Sequence, residues 1–382
     1  MNQELKAATV PGVNPYAALD TPAARAAPPT PFDRLQFEIG RWVDEGSLRY
    51  EAWRIGRTPP ARIRARAERY RRALEFLEER GALADPSRLF DLPLELPTVE
   101  RKPVGFWGLP RCESIRFESR PPFAFPEAFA TAVRDYGGRN RATRTYLWRA
   151  GGRGRPAVIC IHGYRGGFPP LDGRAFGVSS LAGAGLDVAL ATLPLHGARA
   201  PRGTSSGQLF LNDPLRTIEA VVQGVSDLRR LARWLRAEGA PSVGVTGMSL
   251  GGYMTALLAS IEPELEFAVP VIPVASFADI LWQRAGMRGE HADARAAGID
   301  LALLRRLFSP HCPLSHRPLI APNRRLIVAG EADRIVPPEH AAALAAHWQA
   351  PIEWFPGGHL TQLGRGRAFA RFIATARNGA SR

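Results

Sequence analysis

The sequence predicts an α/β protein: a mostly parallel sheet covered by helices on both faces, with a helical extension before it and a lid-like segment inserted late in the chain. Three observations carry that prediction. From residue 111 onward, apolar strand-like runs alternate with helix-period segments, without an internal repeat. The run 157–161, AVICI, is apolar at every position, as a parallel strand buried on both faces requires. The loops richest in Gly, His and Ser follow the ends of such runs, where open parallel sheets bind ligands.

Composition narrows the function classes. The 382 residues suffice for one large domain with added layers. The formal charge is +14, but 48 of the 50 basic residues are arginine, a skew that fits the coding bias of a GC-rich genome. Residues 1–100 hold 15 basic and 15 acidic side chains, so the whole excess lies beyond them and no basic N-terminal arm exists. No nucleic-acid partner is expected. Three scattered cysteines, Cys112, Cys160 and Cys312, make neither a disulfide framework nor a metal knuckle. The first 30 residues lack the basic start and apolar core of a secretory signal. No run approaches the roughly 18 apolar residues of a membrane span, so a cytoplasmic location is expected.

The elements follow in order. Residues 1–30, rich in Ala and Pro, read as a mobile or surface-draped arm. Residues 31–110 read as a helical extension and a linker. Ile63, Tyr70, Leu74 and Leu77 fall near one helical face, with arginines and glutamates on the others. The Pro-containing stretch 91–110 links this region to the main domain, 111–382. There, strands are expected at 112–117, 143–148, 157–161, 187–193, in the short β-branched run 243–246, and at 267–274, 325–329 and 352–355. Helices are expected at 176–184, 214–238, 338–348 and from about 362. An irregular, partly helical insertion, 276–322, precedes the last strands.

The chemistry centres on residues 242–253, SVGVTGMSLGGY. A β-branched run leads into Gly247-Met248-Ser249-Leu250-Gly251, and helix-compatible residues follow at once. This is the setting of a nucleophile elbow, in which a serine is held out on a turn too tight for side chains two residues to either side. An ordinary Gly-rich strand-to-helix turn is the alternative. A serine hydroxyl needs a base, and the base an orienting group. Downstream lie Gly330-Glu331-Ala332-Asp333-Arg334-Ile335-Val336-Pro337, after one apolar run, and Pro356-Gly357-Gly358-His359, after the last.

Over about residues 111–380 these features resemble the α/β-hydrolase superfamily. There an acid follows a late strand in a Gly-x-x-Asp-x-x-Val-Pro context, and a histidine follows the last strand. The resemblance implies nucleophile Ser249, orienting acid Asp333 and base His359, spaced by 84 and 26 residues. Glu331 competes with Asp333, which could instead cap the following helix; His359 could cap the last helix. One oxyanion donor should be the N–H of Leu250. The loop His162-Gly163-Tyr164 resembles the family's His-Gly oxyanion loop, which points to the N–H of Tyr164, with Arg165 as the alternative donor. His162 should anchor that loop. His196, His311 and His316 are excluded by position, the last two being expected at the surface or on the lid.

The implied activity is a serine hydrolase cleaving a carboxylic ester, esterase- or lipase-like, through an acyl-enzyme. A non-catalytic binding or scaffold protein on the same fold, or a serine peptidase or thioesterase of that fold, are the alternatives. No metal or cofactor is expected: no ligand spacing and no phosphate-binding Gly-Lys-Ser/Thr loop appears. The partner should be a small-molecule or lipid ester. The Pro-Leu-His-Gly-Ala-Arg loop, 194–199, is diffusely similar to a less characterised hydrolase branch whose eukaryotic relatives are linked to mitochondrial phospholipid deacylation. His162 and the arginines Arg165, Arg199 and Arg202, after strand ends, are candidate substrate-binding residues. With the eight arginines of 276–325, they would make the site mouth electropositive and favour an anionic ester; coding bias explains them equally. Peripheral membrane contact and dimerisation through the extra helices both remain open.

Overall fold

Strand β4 (Ala157–Ile161), buried at all five positions, is the axis on which the larger part of the chain is laid out. The computed structural model describes residues 16–21, 30–91, 95–119, 123–126, 137–152, 154–210 and 213–380. Most of the expected arm, 1–30, lies outside the described residues. In chain order the described helices are α1 (Pro31–Ile55), α2 (Pro60–Glu79), α3 (Gly137–Asn140), α4 (Pro169–Ala175), α5 (Val178–Gly183), α6 (Pro214–Ala237), α7 (Leu250–Leu258), α8 (Phe277–Met287), α9 (His291–Ala296), α10 (Leu301–Phe308), α11 (Pro338–Trp348) and α12 (Gly366–Ala380). The strands are β1 (Glu100–Val104), β2 (Cys112–Arg116), β3 (Arg144–Trp148), β4, β5 (Asp187–Thr192), β6 (Val243–Met248), β7 (Ala268–Val271), β8 (Ile327–Gly330) and β9 (Ile352–Phe355).

The chain forms two compact units. One holds Phe90–Pro273, Pro318–Ile327 and Phe369–Arg382; the other holds Met1–Leu89, Val274–Arg317 and Val328–Ala368. In the first, the strand order is β1-β2-β3-β5-β4-β6-β7. β4 pairs in parallel with β5 on one side and β6 on the other, and β6 pairs in parallel with β7. β1, β2 and β3 add an antiparallel edge. The order therefore reverses at β4, and the carboxyl ends of β4 and β6 lie side by side, with Ile161 opposite Gly247. Such a switch point opens a crevice at the strand ends.

β1 lies in a stretch that reads as linker. Its sequence, ERKPV, is mostly exposed and carries a proline; an edge strand shows no alternation and tolerates proline. α6 is the long amphipathic helix expected, capped by Asp213, whose carboxylate accepts the Leu215 N–H at 3.0 Å. Its Asp227 is buried and ion-paired with the equally buried Arg199 at 2.9 Å. Ser119 bridges the pair, donating to Asp227 at 2.8 Å and accepting from Arg199 at 2.9 Å.

In the other unit the helical extension is two helices. Gly56, at φ 68°, caps α1, and Pro59 and Pro60 open α2. Ile63, Tyr70, Leu74 and Leu77 are all buried, as their spacing predicts. α2 packs on α9 and α10, so the extension and the inserted segment share a core. Arg57 pairs with Asp293 at 2.6 Å, Arg284 with Glu51 at 2.6 Å, and Glu290 accepts the Thr58 N–H at 2.7 Å. Tyr16 is buried, and its hydroxyl donates to the Arg305 carbonyl at 3.3 Å. Among the described residues no helix is long and apolar enough to cross a membrane.

Asp227→Ala should leave Arg199 buried without its counter-charge and lower stability by about 3–5 kcal/mol. The double variant Arg199→Met, Asp227→Leu should recover most of that loss. Urea denaturation of the three proteins checks both.

Candidate active site

β6 ends at Met248 and α7 begins at Leu250, so Ser249 alone turns the chain. It does so at φ 57° and ψ −112°, a left-handed conformation that costs a non-glycine residue about 1–3 kcal/mol. The turn is pinned by the Ser249 N–H donating to the Val271 carbonyl of β7 at 2.9 Å. Its neighbours must be glycine: a Cβ on Gly251 would overlap the carbonyl oxygens of Ile161 and His162, and one on Gly247 the carbonyl of Gly251. The serine also departs from its helical neighbours. Thr30, Asp213, Ser276 and Asp300, at the same position of their helices, all turn a side-chain oxygen onto a first-turn N–H. Ser249 makes no such capping bond, although a serine there normally does.

The loop leaving β4 arrives beside this turn. A Cβ on Gly163 would stand 3.3 Å from the Met248 carbonyl oxygen and 3.5 Å from the Ser249 Cβ. Tyr164 follows, and Leu250 is the first residue of α7, where amides have no acceptor within the helix. His162 holds the loop in place: its Nδ1–H donates to the Gly163 carbonyl at 2.8 Å and its Nε2 accepts the Leu193 N–H at 3.1 Å. Both bonds together require the neutral ring, and burial pushes its pKa down accordingly. His162 is therefore the anchor expected, and it is 1% exposed, which removes it from direct contact with a substrate.

Asp333 and His359 belong to the other unit. Asp333 follows β8 and His359 follows β9, and β8 and β9 are neighbours. The His359 Nδ1–H donates to the Asp333 Oδ2 at 2.7 Å, with both residues buried. The other oxygen of Asp333 accepts the N–H groups of Ile335 at 3.0 Å and Val336 at 2.8 Å, which sets the carboxylate's orientation. It does not cap α11, whose N-cap is Pro337, and His359 lies seven residues before α12. Burial alone would push the His359 pKa down. The Asp333 carboxylate more than offsets this, Asp44 adds to it, Arg284 opposes it, and the pKa stands above the ordinary 6.5.

Asp44 is the residue that sequence reasoning missed. It lies on α1, wholly buried, and accepts three backbone N–H groups: His359 at 2.7 Å, Leu360 at 3.1 Å and Arg334 at 3.1 Å. One carboxylate thereby ties the acid's loop to the histidine's loop. Close approach makes this possible: a Cβ on Gly40 would overlap the Gly358 backbone, and one on Gly358 would lie 2.6 Å from the Asp44 carboxylate. The signal was present. Gly40, Asp44 and Leu48, four residues apart, are the buried residues of α1, and a charge on a buried helical stripe needs partners.

Other expected positions are corrected. Arg199 is 1% exposed and bonded to Asp227, Ser119 and the carbonyls of Thr192 and Asn140, so it brings no charge to a site mouth. His311 and His316 are not at the surface: both are buried, which pushes their pKa values to about 3 and about 4. Arg165 and Arg202 are exposed, with the Arg165 guanidinium 5.7 Å from the Tyr164 ring centre. His196 is buried, its Nδ1–H donating to the Pro194 carbonyl at 2.9 Å. Among the described residues no group of three or more His, Cys, Asp or Glu could hold a metal ion.

Known proteins resemble this chain to different depths. Residues 170–280 match the family described as alpha/beta hydrolase domain containing 18. The uncharacterized protein MT2702 of Mycobacterium tuberculosis (strain CDC 1551 / Oshkosh) is 35% identical over 314 residues, 79% of this chain and 72% of the relative. The uncharacterized protein Rv2627c of Mycobacterium tuberculosis (strain ATCC 25618 / H37Rv) is 38% identical over 228 residues, 58% of this chain and 54% of that one. An acetyl xylan esterase from Paenibacillus sp. R4 superposes with a TM-score of 0.52 at 17% identity, over 79% of this chain and 93% of its own. Acetyl xylan esterase 1 from Thermoanaerobacterium sp. JW/SL YS485 gives 0.51 at 17% identity, over 84% and 99%. At this identity the likeness to the two esterases is one of fold.

Asp44→Ala removes the acceptor of three backbone N–H groups, each about 1–3 kcal/mol if left unpaired. A thermal scan should show a destabilised protein that still folds. If His359 acts as a general base it must be neutral, so kcat/KM would fall as pH drops through its pKa. In the wild type that acid limb should lie above 6.5; Asp333→Asn and Asp44→Asn, each removing a negative charge, should move it down. A limb that neither variant moves would assign the titration to another group.

Proposed function

Because the chain belongs to the α/β-hydrolase superfamily, and within it to the family of the two mycobacterial relatives, we propose that it is a serine hydrolase that cleaves a carboxylic ester through an acyl-enzyme. The observation that carries the reading is Ser249. It occupies a strained turn at φ 57°, forgoes the capping bond its position offers, and has the Gly163 loop against its Cβ. A fold does not by itself imply a function. A strained, uncapped serine beside the loop that leaves β4 supports a nucleophile's role.

In this reading the Ser249 hydroxyl attacks the ester carbonyl and His359 Nε2 takes its proton. The N–H groups of Leu250 and Tyr164 donate to the oxyanion as it forms. The C–O bond to the leaving alcohol then breaks, and the alcohol departs with the proton from His359. Water, activated by the same imidazole, releases the acid and regenerates the serine. Asp333 holds the ring in the Nδ1–H tautomer and stabilises the imidazolium. With Arg199 paired inside the fold, a preference for anionic esters would rest on Arg165, Arg202 and the arginines of 276–325. Three free, buried cysteines suit a reducing, cytoplasmic location.

A fluorophosphonate probe should label the wild type and leave Ser249→Ala unlabelled. A protein that never labels would be a binding or scaffold protein on this fold. His359→Ala should lower kcat on p-nitrophenyl esters about 10³-fold or more. Faster turnover of a matched anilide or thioester than of the ester would replace the ester assignment with a peptidase or thioesterase.

A further inference from the structure

α1 is amphipathic in an unexpected sense, because its apolar stripe faces solvent. Its buried side is small: Gly40, Asp44 and Leu48. On the opposite side Phe32 is 66% exposed, Leu35 55%, Ile39 42%, Trp42 71%, Val43 40%, Tyr50 61% and Trp53 78%. At 100° per residue these seven, with Gly46, fall in one arc of about 100°, and no charged side chain lies inside it. Scattered exposed apolar residues need no explanation, whereas a contiguous patch of several hundred Å² marks an interaction site. At about 150–250 Å² per aromatic side chain, the four rings alone expose roughly 400–700 Å². The aliphatic residues bring the stripe to about the 800 Å² that each partner contributes to a stable protein interface.

We propose that this stripe is a homodimer interface, in which α1 pairs antiparallel with α1 of a second copy of this chain about a two-fold axis near residues 42 and 43. The stripe is self-complementary in that register. Its midpoint lies between Trp42 and Val43, so Phe32 meets the partner's Trp53, Leu35 meets the partner's Tyr50, and Ile39 meets the partner's Gly46. Gly46 has open space where a side chain would be, a notch that receives an aliphatic knob. A two-fold between antiparallel helices brings like flanks together. Glu38 and Arg49 share one flank, both exposed, and their distances from the midpoint differ by about 3 Å along the helix, within the reach of their long side chains. Each therefore comes opposite its counterpart of reverse charge, twice per dimer.

Charge argues against a lipid surface as the occupant. Helices that lie on membranes carry Lys and Arg on their polar face. α1 carries four arginines against five acids, Asp33, Glu38, Asp44, Glu45 and Glu51, and would gain nothing from anionic headgroups. The proposal is independent of the catalytic reading, since it rests on the opposite face of the helix from Asp44.

Sedimentation and light scattering of the full chain test it. At about 1–100 µM, the range expected of an interface of this size, the wild type should show twice the 41.7 kDa chain mass. Trp42→Glu and Trp53→Glu, both at exposed positions, should give the single-chain mass with unchanged circular dichroism. Glu38→Arg and Arg49→Glu should each weaken the dimer at least tenfold, and the double exchange should restore it; a merely sticky surface would show no such rescue. A wild type that stays monomeric throughout this range overturns the proposal. So does a dimer indifferent to the Trp42 and Trp53 changes. Binding of a monomeric wild type to phosphatidylglycerol vesicles, lost in Trp42→Glu, would overturn it in favour of a membrane.

Discussion

Asp44 places one buried carboxylate beneath two loops and accepts an N–H from each side of the pair they carry. Buried backbone donors must find acceptors, and neither the loop after β8 nor the loop after β9 supplies enough of its own here. The carboxylate answers the His359, Leu360 and Arg334 amides at once. It has an electrostatic effect too: a second negative group near the imidazole favours the protonated ring. The same helix must come very close to do this, and the Gly40 and Gly358 contact is what permits it. The N-terminal extension is thus part of the machinery that positions the histidine and not an appendage to it.

In the sheet-bearing unit the governing constraint is the reversal of strand order at β4. Parallel neighbours on both sides bring the ends of β4 and β6 together, so the loop after one lies against the turn after the other. Ser249 accepts a strained backbone there because three things hold it: its own N–H on β7, Gly251 against the end of β4, and Gly247 folded under the first turn of α7. His162 performs for the donor loop what Asp44 performs for the histidine loop, satisfying backbone groups from two segments with one side chain. In both cases one buried polar residue holds backbone from two segments together.

α1 carries two demands on one helix. Its buried side is given over to small residues and a carboxylate, so that it can approach the histidine loop. That leaves the large apolar residues on the outer face, exposed. An ordinary surface helix would invert this distribution.

The sequence by itself determined the alternation of strands and helices, the fully buried β4, the elbow around Ser249, and the buried face of α2. Each is a local pattern: periodicity, a glycine pair around a serine, an apolar run of strand length. The loops bearing Asp333 and His359 were legible in the same way, by their position after apolar runs. Only the tertiary structure decided how polar groups were partnered. Arg199 reads as a surface cation until Asp227, on a helix 28 residues away, is seen to neutralise it inside the fold. His311 and His316 read as surface residues until the inserted helices are seen packed against α2. β1 was hidden because an exposed edge strand has neither alternation nor an apolar run. Asp44 was hidden because its three partners lie about 290 to 316 residues along the chain. Hydrophobic pattern is written along the sequence, whereas the pairing of buried charges and backbone amides exists only between segments brought together by folding.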